Sequence, residues 1–315
     1  MDRDFCRYFL NIVQKSMNVP CFSYQENGFY CDLILVKSWL FGRKLISLGY
    51  LTEGGLIKDS LASECDQTKI IARIQQLATD HHVDYIEFRG GIKPDIPDLK
   101  VQDQIYADFI KDFQQIDDVL LSIPRKKRAD IRKAINNQHL HFTDNVDIND
   151  FYALFSKSQH DHGTPIHRKK YYKLLVSDPN KVQIYGIMHG KTLVACCMVF
   201  VTETEIIAYY GAADANYVKH HVYDLLYYHL MCVSKQRKTV FNFGRSKYNT
   251  GSFKYKTLWG FEPLEKTHYI WPITDKKIPD LRANNQQFAK KIALWRKLPL
   301  WLVNLIGPFI LKGIG

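Results

Sequence analysis

Residues 241–261 read FNFGRSKYNTGSFKYKTLWGF and hold Arg245, Lys247, Lys254 and Lys256 with no acidic residue among them. Ordinary protein surface interleaves both charge signs, so a stretch of one sign marks a place that meets an anion. Arg245 closes an apolar strand pattern at Phe241 and Phe243, and its guanidinium fork suits a phosphate bidentately. Ser246 and Lys247 follow it directly and are placed with it as substrate-binding residues. Whether Lys254 and Lys256 act together depends on local structure. On a strand they share one face; on a short helix they lie on nearly opposite sides. Ser252 as N-cap and Gly260 as a left-handed C-terminal residue favour the helix, which leaves one lysine for the site and makes FEPLEKTHYIW the final strand.

Two runs of the chain could supply the frame that positions these residues, and both follow one pattern. In the first, CFSYQ (21–25), FYCDLILVK (29–37) and RKLISLGY (43–50) read as a strand meander with glycine-containing turns. A helix is expected over roughly 66–80 from the spacing of Ile70, Ile71, Ile74 and Leu77, followed by the strand VDYIEFRG (83–90). The second run repeats the order with VQIYGIM (182–188), TLVACCMVFV (192–201), EIIAYYG (205–211), a helix across 216–235 and the strand TVFNFGR (239–245). A duplicated α/β unit follows, with Gly49–Tyr50 equivalent to Tyr210–Gly211 and Phe88–Arg89–Gly90 to Phe243–Gly244–Arg245. Tyr209 and Tyr210 end the third meander strand of the second unit, where alternation turns one to the core and the other to the cleft. Both are taken as substrate-binding candidates.

Between the units, Pro124 fits the first turn of a helix, and the next nine residues hold Arg125, Lys126, Lys127, Arg128, Arg132 and Lys133. Such a helix could dock an RNA backbone, a phosphate-bearing acceptor or anionic lipid, or be a solvated face; Arg125 and Arg128 are its substrate-binding candidates. The tail ALWRKLPLWLVNLIGPFILKGIG is apolar, too short for the ~20 residues of a spanning helix and broken by Pro299, Gly307 and Pro308. Flanking tryptophans and cations favour a membrane-surface segment over packing on the first unit.

The formal net charge of +11 favours polyanionic partners. Seven cysteines without any C-x-x-C read as reduced thiols. The start MDRDFCRYFLNIV lacks an export signal, so a cytoplasmic location is expected, peripheral to the membrane if the tail docks there. No G-x-S-x-G, Walker loop or dinucleotide fingerprint occurs, and the histidine pairs at 81–82, 139–141, 160–162 and 220–221 lack zinc spacing, so neither metal nor cofactor is expected.

SIPRKKRADIRKA (122–134), HGTPIHRKKYYKLL (162–175), YYGAADANY (209–217), DLLYYHLM (224–231), FNFGRSKYNTGSFKYKTLWGFEP (241–263) and the tail from 293 resemble the FemAB-related proteins of exosortase (PEP-CTERM) and exopolysaccharide systems. FGRKLISLGYLTEGGL (41–56) and YIEFRG (85–90) extend the likeness over nearly the whole chain. The resemblance implies an α/β (α+β) fold of two tandem GNAT-like domains, each a mostly antiparallel sheet with flanking helices. They would span 1–118 and 119–274, with 275–315 as the tail. It implies an enzyme that passes an acyl or aminoacyl group from a donor, tRNA-linked or thioester, to an amine of a lipid-linked or sugar acceptor in the cell envelope, with no DNA partner. The alternatives are a non-catalytic GNAT-like binding protein, or an enzyme dependent on acyl-CoA or acyl-carrier protein with a small-molecule acceptor. Asp224 is kept from the family's helix, whereas Tyr223 and His229 replace its neighbours. Tyr255-Lys256-Thr257-Leu258-Trp259-Gly260 matches the pattern whose lysine is implicated in donor binding and oxyanion stabilisation, which makes Lys256 the catalytic candidate. A fixed ammonium suits that task because charge develops on oxygen as an amine attacks an ester.

Overall fold

The computed structural model describes residues 2–38, 42–59, 67–276, 278 and 292–315. The first unit opens with helix α1 (Arg3–Met17), capped by the Asp2 side chain, which accepts from Phe5 N–H. Phe5, Phe9, Ile12 and Val13 recur at helical spacing and are buried. Then come β1 (Cys21–Glu26), β2 (Phe29–Ser38), β3 (Gly42–Ser47), β4 (Ile57–Lys58), α2 (Thr68–Asp80) and β5 (Tyr85–Arg89). β2 is apolar on both faces because both faces of the sheet are covered there. A long strand, β6 (Lys100–Asp112), leads to the second unit.

That unit comprises α3 (Arg125–Ile135), β7 (Leu140–Thr143), α4 (Ile148–His162), α5 (Lys169–Leu175), β8 (Val182–His189), β9 (Thr192–Val201) and β10 (Glu205–Ala213). A 3₁₀ segment (Ala215–His220), α6 (Val222–Gln236), β11 (Val240–Asn242), β12 (Ser246–Lys247) and α7 (Gly251–Thr257) follow. β13 (Pro263–Pro272) and α8 (Leu300–Ile314) close the chain. The helix expected over 216–235 is thus broken at His221, which takes the left-handed conformation at φ 58°.

Both units have the expected order of meander, helix and return strand. β5 runs parallel to β3, and β11 parallel to β10. They are joined in one sheet of strand order β1-β2-β3-β5-β13-β6-β11-β10-β9-β8-β7. β13, from the end of the second stretch, lies between β5 and β6 of the first, so the expected division near 118 is crossed by a strand. One core cluster also spans both units, packing Phe5, Phe9 and Val13 of α1 with Phe151, Tyr171 and Phe200.

Helix α8 packs across β2 and α4 and buries Val303 and Gly307. The tail therefore packs on both units along one side, while Trp301, Leu305 and Phe309 stay exposed on the other. No helix among the described residues is long and apolar enough to cross a membrane.

Candidate active site

The parallel pairing of β10 with β11 ends at Ile207 and Asn242. Beyond it β10 stays with β9 as far as Ala213, whereas the segment after β11 stays with β6 through β12. The two parallel strands therefore part at their carboxyl ends, where α/β sheets commonly receive ligands. Gly244 permits the close passage at the neck of this opening: its φ is +78°, and a Cβ there would lie 2.6 Å from Ala208 O.

Lys256 reaches the same place from α7. The helix starts at Thr250, whose side chain accepts from Phe253 N–H, rather than at Ser252. Threonine takes the cap because its extended backbone conformation precedes the first turn, whereas Ser252 already lies inside the helix. Gly260 has the expected left-handed conformation at φ 75°. Helical geometry separates the two lysines: Lys254 is exposed and Lys256 is 9% exposed. Lys256 Nζ donates to Gly244 O at 2.6 Å and Arg245 O at 3.2 Å, between the rings of Phe109 and Phe243. Burial pushes its pKa down to about 7, with Asp108 opposing the shift and Arg245 adding to it. Two of its donor directions are fixed by carbonyls, which leaves one N–H over when the amine is protonated.

The Arg245 guanidinium lies 3.9 Å from the centre of the Tyr106 ring, and Lys247 Nζ lies 5.6 Å from the same ring. Ser246 is buried, and its hydroxyl has no hydrogen-bond partner among the described residues. Such a group is costly unless something else satisfies it. Lys256 thus meets the backbone of Arg245, and Ser246 and Lys247 follow it on β12. Tyr209 and Tyr210 do not alternate: the pairing register shifts between Ala208 and Tyr210, and this bulge turns both rings to the core shared by the two units. Tyr209 Oη donates to Tyr50 O at 3.3 Å, and Tyr210 Oη meets Tyr171 Oη at 3.0 Å. Burial raises the Tyr209 hydroxyl to about 12 even against the pull of Arg245.

Asp224 is held elsewhere. Its Oδ1 accepts from Lys127 Nζ at 2.7 Å and Tyr255 Oη at 2.8 Å, and its Oδ2 faces His221 Nδ1 at 3.2 Å. This network ties α3 and α7 to the start of α6. Asp130, His221 and Asp224 offer ligand atoms within 4.8 Å of one another, but Lys127 and Tyr255 already occupy one oxygen of Asp224. Arg125 is exposed on α3, and Arg128 Nη1 donates to Leu121 O at 3.3 Å.

Sequence reasoning missed a largely buried ion-pair bridge between the two units. Lys266 Nζ bridges Glu53 at 2.6 Å and Asp108 at 2.5 Å, so the two units are cross-linked, and the Asp108 charge is felt at Lys256. Burial opposes charge on Lys266, yet its two carboxylate partners raise its pKa. No sequence spacing could show this, because a turn, β6 and β13 each supply one member.

Residues 125–257 match a family described as Acetyltransferase (GNAT) domain. No curated protein matches the chain by sequence. Among solved structures, FemX superposes with a TM-score of 0.61 at 10% identity, over 84% of this chain and 91% of that one. The C-terminal domain of a putative lysylphosphatidylglycerol synthetase from Agrobacterium fabrum gives 0.59 at 11%, over 85% and 91%. A conserved protein of unknown function from Bacteroides thetaiotaomicron gives 0.59 at 11%, over 85% and 90%. These likenesses speak for the fold. The chain is a mixed α/β protein of two GNAT-like units in one sheet, and the second unit matches the GNAT acetyltransferase domain.

Proposed function

We propose that the protein is an N-acyltransferase of FemAB type, which passes an acyl or aminoacyl group from an ester donor to an amine of a cell-envelope or exopolysaccharide precursor. The parting of β10 and β11 directly over the buried Lys256 carries this reading. In the reaction the acceptor nitrogen bonds to the donor's carbonyl carbon, and the ester C–O bond breaks. The departing hydroxyl takes up the proton that the amine gives up. Lys256, already tied to two carbonyls, has one N–H left to meet the oxyanion when protonated. Arg245 and Lys247, which share the Tyr106 side of β12, form the side that receives a phosphate-bearing substrate.

The start of α6 favours an ester donor such as aminoacyl-tRNA over a coenzyme A thioester. A helix N-terminus is the default place for a diphosphate, but Asp224 in the first turn of α6 already puts a buried carboxylate there. The cationic face of α3, with Arg125 and Arg128, suits a tRNA backbone.

The experiment compares Lys256→Ala with Lys254→Ala in single-turnover transfer from charged tRNA to an amine acceptor. Loss of one oxyanion-stabilising group costs on the order of 10²–10³-fold, and that loss is expected for Lys256→Ala alone. Wild-type rates in Lys256→Ala would overturn the assignment.

A further inference from the structure

We propose that the outward side of α8 is a docking surface for an anionic lipid bilayer. The inward side is fixed to the protein body. Gly307 passes so close to Ile166 that a Cβ would lie 3.3 Å from its backbone N and O. Tyr50 Oη donates to Lys312 O at 3.0 Å, and Arg89 Nη2 donates to Gly315 O at 3.1 Å. A helix held this firmly presents its other side as a rigid surface.

On that side Trp301, Leu305 and Phe309 are 68%, 56% and 62% exposed. Their spacing of four places them in one stripe along the helix. Leu294, 64% exposed, lies just before the helix. Large apolar side chains gathered into one stripe mark a surface that meets something apolar. Residues 292–315 carry Arg296, Lys297 and Lys312 and no Asp or Glu. Arg168, from the segment before α5, stands 5.1 Å over the Phe309 ring. The stripe is thus apolar with cations beside it, and its tryptophan suits the depth of lipid headgroups.

The same charges choose between occupants. A second copy seated on this stripe would bring like cations together across the contact, which disfavours association. A negatively charged headgroup layer attracts every one of them, and the three apolar side chains enter the acyl boundary beneath it. With 15 residues, α8 is too short to span and lies along the surface.

The test uses the full chain and vesicles of phosphatidylcholine alone or mixed with phosphatidylglycerol. Sedimentation with the mixed vesicles is expected, weakening as salt is raised. The triple variant Trp301→Ser, Leu305→Ser, Phe309→Ser should bind roughly 10-fold or more weakly with an unchanged melt. Should that variant fail to fold, the double variant Arg168→Glu, Lys297→Glu reads the same surface through its charge and should also bind more weakly. The proposal is overturned if wild type ignores mixed vesicles, or if every folded variant binds as wild type does. It is equally overturned if wild type is a dimer that the triple variant converts to monomer.

Discussion

The two units part their parallel strands at corresponding places and treat the opening in opposite ways. In the first unit the last parallel pair is Ile46 with Glu87, and in the second it is Ile207 with Asn242. Two residues further on stand Arg89 and Gly244. Arg89 fills the first opening: its guanidinium binds Glu87, Leu51 O and Gly315 O, its N–H donates to Ser47 Oγ, and its carbonyl accepts from Gly54 N–H. Gly244 leaves the second opening free of side chain, with Lys256 beneath and Arg245 beyond. A duplicated scaffold thus closes one opening with an arginine and puts a glycine at the other, where the candidate site lies.

The largest expected effect breaks that closure. Glu87 is buried, and Arg89 and His268 hold its carboxyl well below the usual range although burial works the other way. Arg89→Met strands that charge and should cost about 3–5 kcal/mol in denaturant unfolding. If the loss is small, the first opening is not closed by this ion pair. In the second unit Arg245→Met should alter stability by less than about 1 kcal/mol, because no carboxylate there depends on it among the described residues, while transfer falls about 10-fold or more. Equal stability losses in the two arginine variants would erase the contrast.

Lys256 gives a pH signature. Its folded pKa is lowered to about 7 from 10.5, so above pH 7 the folded state has released a proton that the unfolded state still holds. Stability contributed through this group therefore rises with pH between those values. Relative to Lys256→Met, wild type should gain up to about 1.4 kcal/mol per pH unit within that window and nothing below it. A flat difference across pH 7–10 would mean that the amine stays charged. The smallest effect belongs to α3. Arg125→Glu with Arg128→Glu should leave the melt nearly unchanged but weaken RNA binding and flatten its salt dependence. Unaltered binding would make that face merely solvated.

Where one element decides the pattern, the sequence was readable. The strands of both meanders follow from periodicity and the helical reading of Lys254 and Lys256 from the end signals around them, and the structure places them within a few residues. Departures arise where a second element intervenes. The bulge at Ala208–Tyr210 cancels the alternation of Tyr209 and Tyr210, and the cap of α7 moves from Ser252 to Thr250. Helix α1 is legible in the sequence from the Asp2 cap and the spacing of Phe5, Phe9 and Val13. Strand β6 is polar over Gln102–Gln104, which hides its buried half at Tyr106–Phe109. The Glu53–Lys266–Asp108 bridge joins distant segments and leaves no local trace.

The place of β13 bears on how the chain is made. Ile270 pairs with Glu87 on one side and Leu264 with Asp108 on the other, so the sheet of the first unit stays split until residues 263–272 have left the ribosome. Until then β5 and β6 each offer an open edge, the kind of surface on which nascent chains stick to one another. Assembly of the first unit therefore waits on nearly the whole of the second, and a chain stopped before Pro263 would release two unpaired strands to the chaperones rather than one finished half.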